Sequence, residues 1–206
     1  MLSVLVSAVV LVVPCVSQSG HMGPVLSISP PKQCQKSNED YAVRSALFYY
    51  LNNLRRDIGK GLEVFPNANY SRGPRLMYLM KYDCGLELEA KAELSKERVL
   101  PLNVLKYGGV EPSGQLVIGL TKTVAKWKRN RSAHSLLMNP YVPFFGCAHE
   151  YKNQLLKLIC IFKKIDFGAP STRPAPCKRD SDCNWFIDSK CEEEMCVGPD
   201  TPYNLH

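Results

Sequence analysis

The sequence predicts a mixed α/β domain followed by a short tail stapled by disulfides. Three observations predict it. Residues 43–58 carry a long apolar stripe at helical period. Residues 142–163 hold two apolar, β-branched segments joined by a short polar connection. Four cysteines are then crowded into residues 177–196, behind a proline-rich linker.

The stripe consists of Val43, Ala46, Leu47, Tyr50, Leu51, Leu54 and Ile58, all on one face of a helix. Ser37 or Asn38 supplies its cap, and Gly59 and Gly61 stop it. Residues 62–74 read as a loop. A second helix is expected over residues 74–98, with Leu76, Met80, Cys84, Leu88 and Leu94 along its apolar edge and a kink at Gly85. Residues 101–114 read as loop, 116–118 as a short strand and 121–128 as a short helix. Residues 142–149 and 155–163 form a hairpin around 150–154. Cys147 and Cys160 lie on its two arms and can be bridged if the register brings their Cα atoms within ~7 Å. Residues 169–176 are a stiff linker. The segment after it is too short for a hydrophobic core, so two disulfides must hold it. Cys177, Cys183, Cys191 and Cys196 allow three pairings, and spacing does not choose among them.

The compartment follows from the N-terminus. Residues 2–13 are apolar apart from Ser3 and Ser7, and no charged side chain precedes His21. That run suits a signal peptide and is too short to span a bilayer. Residues 1–19 are therefore expected to be a signal peptide cleaved near Ser17-Gln18-Ser19, and residues 20–33 a flexible mature N-terminus. Cys15 leaves with the signal. Cys34, Cys84, Cys147, Cys160, Cys177, Cys183, Cys191 and Cys196 then form an even set, which reads as a disulfide framework, and no C-x-x-C pair suggests zinc. Asn69 and Asn130 open N-x-[ST] sequons and are candidate glycosylation sites. The formal charge of +7 is spread out. Its densest run, residues 126–131, is either a patch for a glycosaminoglycan or lipid headgroup or a solvated helix face, and the second reading is favoured. No nucleic-acid motif, phosphate loop or G-x-S-x-G elbow is present. A secreted protein with no transmembrane segment is expected.

Several of these segments together carry a resemblance. Leu51-Asn52-Asn53-Leu54-Arg55 resembles the HNxLR helix of the CAP superfamily of secreted proteins, which includes the venom allergens. Met80-Lys81-Tyr82-Asp83-Cys84-Gly85-Leu86-Glu87 is similar to its MxWDCxLE segment, Phe145-Gly146-Cys147-Ala148 to IGCA, and Leu158-Ile159-Cys160-Ile161-Phe162 to xVCNY. Trp127 fits the tryptophan of the intervening helix. The tail cysteines resemble those of the nematode activation-associated secreted proteins. The resemblance covers residues 34–200. It implies a three-layer α-β-α sandwich over 34–168 and a disulfide-rich extension over 169–206.

Many members of that superfamily hold a divalent metal in a cleft of two His and two Glu. Here Leu51 stands for the first His and Asn130 for one Glu, while Glu111 and His134 are the candidates for the others. At best one His and one Glu survive, and a transition metal usually needs three or four ligands. No cofactor, metal or catalytic residue is therefore expected, and a protease is ranked last. His149, beside Cys147, is read as a surface or packing residue. The resemblance implies a non-catalytic effector that binds an extracellular or host protein, in an immunomodulatory or receptor-blocking role. Residues 62–74, 101–114 and the tail are its candidate contact surfaces. The alternative is a carrier of sterol or fatty acid, with Tyr141, Phe144 and Phe145 lining a groove. Ordinary sheet core is the favoured reading of those aromatics.

Overall fold

The structure is a computed structural model that describes residues 34, 38–63, 75–96, 101–110, 116–165 and 175–198. Helix α1 spans Asn38–Lys60. Its stripe residues Val43, Leu47, Leu51, Leu54 and Ile58 are buried, as the period requires. Gly61, at φ 73°, ends it. Gly61 N–H donates to the Ile58 carbonyl and Leu62 N–H to that of Asp57, which satisfies the last carbonyls in a Schellman cap.

The second helix is shorter than expected. Residues 75–80 are extended, Lys81–Tyr82 form strand β1, and helix α2 runs only from Cys84 to Leu94. Side chains of α1 and backbone from the tail occupy the polar groups of the extended stretch, so it has no need to coil. Asp83 then caps α2, its carboxylate accepting from Leu86 N–H at 3.0 Å.

Strand β2 spans Val104–Val110, where a loop was expected. Leu105 and Tyr107 alternate into the core, but Gly108 and Gly109 break the apolar pattern that marks a strand. Helix α3 spans Leu116–Trp127 without interruption, so the strand expected at 116–118 is its first turn. Val117 and Ile118 look strand-like by propensity. They are exposed, while Leu120, Val124 and Trp127 bury at helical spacing. Helix α4, Arg131–Leu137, is not among the elements the sequence predicts.

Strands β3 (Phe144–Lys152) and β4 (Leu155–Lys163) form the expected hairpin. Asn153 and Gln154, both at positive φ, make the two-residue turn. Cys147 faces Cys160 in register, and the two are bridged with Cα atoms 4.1 Å apart. The sheet order is β1-β3-β4-β2, with only β1 and β3 parallel.

The sheet lies between two cores. Leu105, Phe145, Cys147, Leu158 and Phe162 pack against α1, α3 and α4, while Val104, Phe144, Ala148, Ile159 and Ile161 pack against α2. This is the expected three-layer α-β-α sandwich. Gly146 sits where α2 crosses β3. A Cβ there would lie 2.6 Å from both the Asp83 oxygen and the Leu86 carbonyl carbon.

The tail forms a 3₁₀ turn at Asp180–Asp182 and a hairpin of β5 (Lys190–Glu192) and β6 (Met195–Val197). Its pairing is Cys177–Cys191 and Cys183–Cys196, and Cys34–Cys84 completes four disulfides. Cys196 exchanges backbone hydrogen bonds with Met77 and Leu79. Met195 enters the main core. Trp185 stacks on Tyr78 and Tyr141, with centroids 4.7 and 4.4 Å away.

Candidate functional site

The polar residues of the Leu51–Arg55 segment are the first candidates, because Asn52 and Arg55 are fully buried on α1. Asn52 acts as a neighbouring strand. Its amide donates to the Met80 carbonyl at 3.0 Å and accepts from Met80 N–H at 2.8 Å. Arg55 donates to the carbonyls of Tyr78, Leu137 and Asn139 at 2.8, 3.3 and 2.9 Å. Burial lowers its pKa to about 9, so it is a cation at neutral pH. These contacts join α1, the extended segment and the turn after α4. They consume the side chains' capacity for other chemistry.

A second buried cluster joins the two helical layers across the edge of the sheet. Arg44 of α1 makes a two-pronged ion pair with Glu87 of α2, through Nε at 2.6 Å and Nη2 at 3.2 Å. The Tyr82 hydroxyl donates to Glu87 at 2.8 Å or to the Cys147 carbonyl at 2.9 Å, and accepts from Cys147 N–H at 3.1 Å. Burial, aided by the Glu87 charge, pushes the Tyr82 pKa far above its ordinary value. The phenol therefore keeps its proton near neutrality, which does not suit acid–base exchange there. Tyr82 and Glu87 belong to one sequence motif, but the cluster they form is barely legible in it. Its only signal was Arg44, a charge one residue along from the stripe position Val43.

Of the residues expected to echo a metal cleft, the structure describes Leu51, Asn130 and His134. Leu51 is 0% exposed among apolar neighbours. His134 is 1% exposed, and its Nε2 lies 2.6 Å from the Lys128 carbonyl, so that nitrogen carries the proton and donates it. Asn130 is exposed and caps α4, its Oδ1 accepting from Ser132 N–H. Glu111 and the other sequon residue, Asn69, lie outside the described residues. His149 is half-buried on β3, opposite Leu158. Among the described residues, the one trio of potential ligand atoms close enough to share an ion is Cys177, Cys183 and Cys196, and each of these is in a disulfide.

The aromatic candidates are separated by the pleat. Phe144 faces the α2 core and Phe145 the α1 core, so they do not line one groove. Tyr141 is spent on Trp185. The crevice beside Phe144, bordered by Tyr78, Pro143 and Phe186, has a volume of about 10 Å³, room for one water.

No family model matches the chain. A curated relative, Ancylostoma secreted protein of Ancylostoma caninum, is 23% identical over 198 residues, covering 82% of this chain and 46% of the relative. The chain thus spans about half the length of that relative. Among solved structures, manganese-bound Ac-ASP-7 superposes with a TM-score of 0.63 at 23% identity, covering 85% of this chain and 97% of that one. The fold is that of the CAP superfamily. Hookworm platelet inhibitor shares it at a TM-score of 0.57 and 19% identity, covering 81% of this chain and 96% of its own. Within this fold the Leu51–Arg55 segment is a structural tie, and Leu51 is part of the core. No helix among the described residues is long and apolar enough to cross a membrane.

Proposed function

We propose that this chain is an exported CAP-fold protein that acts by binding an extracellular or host protein, with neither catalysis nor a resident metal. One observation supports the reading: the two residues that the resemblance matches to the superfamily's His pair, Leu51 and His134, are both buried inside the molecule. His134 further commits its Nε2 to a backbone carbonyl. Four disulfides suit an oxidising compartment and hold the surface in one shape, which lowers the entropic cost of recognition. The relative's name describes a secreted protein, and one structural neighbour is named as a platelet inhibitor. A comparable blocking role fits this chain. Asn130 is exposed, in keeping with a glycan there.

The test uses oxidised, fluorescently labelled mature protein on panels of intact leukocytes and platelets. The reading expects saturable binding to at least one cell type, displaced by unlabelled protein and abolished when the cells are first trypsinised. Absence of saturable binding, or a hydrolytic activity towards protein substrates, contradicts it.

A further inference from the structure

The two faces of the sheet are not equally covered. Along β4, Ile159 and Ile161 point towards α2 and are buried, but Lys157 and Leu155 on the same face are exposed. Strand β3 repeats the division, with Phe144 and Ala148 buried and Glu150 and Lys152 exposed. In β2, Val104 is buried while Lys106, Gly108 and Val110 are exposed. The burial pattern of β4 records the boundary: it alternates over residues 155–158, then is continuous over 158–162. Helix α2 therefore roofs one half of its face, and the other half faces outward.

The register assembles that open half into a defined surface. Val110, 73% exposed, pairs with Leu155, 39% exposed, which in turn pairs with Lys152. Gly108 pairs with Lys157, and a Cβ at Gly108 would meet nothing within 4 Å, so a partner's backbone can approach the sheet there. Lys152 and Lys157 flank the aliphatic pair and Lys106 lies farther along β2, and among the described residues of this open half the one acid is Glu150, whose carboxylate lies 3.9 Å from Lys157 Nζ.

From this geometry we propose that the open half of the α2-side sheet face is a docking surface for an acidic segment of a partner protein. The segment sets one or two aliphatic side chains on Val110 and Leu155 and its carboxylates towards Lys106 and Lys152. The lysines select a partner of opposite charge. The aliphatic centre favours a polypeptide over a sulfated polysaccharide, which has no apolar group to place there. This surface rests on the reading of the chain as a binder of extracellular protein, and gives that reading an address.

The experiment compares the intact oxidised protein with two exposed-face variants, Lys106→Glu/Lys152→Glu and Val110→Asp, in the cell-binding assay. Because all three side chains are exposed, native melting behaviour is expected of both variants and is checked first. The surface predicts a loss of roughly tenfold or more in affinity for the double charge reversal, with Val110→Asp also weakened. Wild-type affinity in both variants overturns it. Binding that disappears after heparinase treatment of the cells overturns it in favour of a polysaccharide partner. If the unmodified protein binds no cell, the functional reading fails, and a separate measurement decides the surface. A synthetic peptide of alternating Asp and Leu is titrated into ¹⁵N-labelled protein, with the Asn-for-Asp peptide as control. Shifts at Lys106, Gly108 and Lys157 amides with the acidic peptide alone support the surface. No shifts, or equal shifts with the control, overturn it.

Discussion

Arg55 shows how a buried charge serves as a joint. Its guanidinium reaches carbonyls on two segments far apart in sequence, so Arg55→Met leaves several buried acceptors without a donor. At about 1–3 kcal/mol for each unsatisfied group, the variant is expected to lose at least about 3 kcal/mol, measured by urea unfolding. Tyr82 makes a prediction in pH. Its folded pKa is raised above the ordinary 10.0, chiefly by burial. Below pH 10 the phenol is protonated in both folded and unfolded chains, and its contribution to stability is fully present. As pH rises further the unfolded chain ionises while the folded one resists, so that contribution is lost. Tyr82→Phe should therefore be less stable at pH 7 yet show a shallower decline above pH 10, read from unfolding midpoints. Tyr78 and Tyr141, also shifted upward, keep the remaining slope from vanishing.

At the scale of elements, the contact of α2 with β3 is set by the absence of one side chain. Gly146→Ala places a methyl against the α2 backbone, which cannot move aside as a flexible side chain does. The helix must lift, at a cost of about 2 kcal/mol or more, and thermal unfolding should report it. The elements legible in the sequence were those whose burial is one-sided and uninterrupted. Helix α1 announced itself through its stripe, and the β3–β4 hairpin through its apolar arms and facing cysteines. The extended stretch before β1 was hidden because its hydrogen bonds come from Asn52 and Arg55, some twenty-three to twenty-eight residues earlier. Strand β2 was hidden by its glycines, and α3 by the β-branched pair Val117 and Ile118 in its exposed first turn. Of the site, the packing role of Leu51 was readable from its place on the stripe. The burial of His134 was not, since α4 itself was unseen.

At the scale of the whole molecule, the tail is built into the domain. Cys196 extends the backbone network of the segment before β1, Met195 fills the main core, and Arg56 and Lys60 of α1 pair with Glu193 and Glu194 at the β5–β6 turn. Those ion pairs are partly exposed and add little. The buried cysteines and the stacked aromatics hold the tail in place. The result is a cross-linked scaffold in which Leu51 and His134 are packed inside, and the proposed function places recognition on its exterior. Calorimetric titration of the oxidised mature protein with Mn²⁺ and with Zn²⁺ tests this claim most directly. The account predicts no saturable heat from either ion. One-to-one binding at micromolar affinity, lost in a folded His134→Gln variant, would contradict it and restore a working metal cleft.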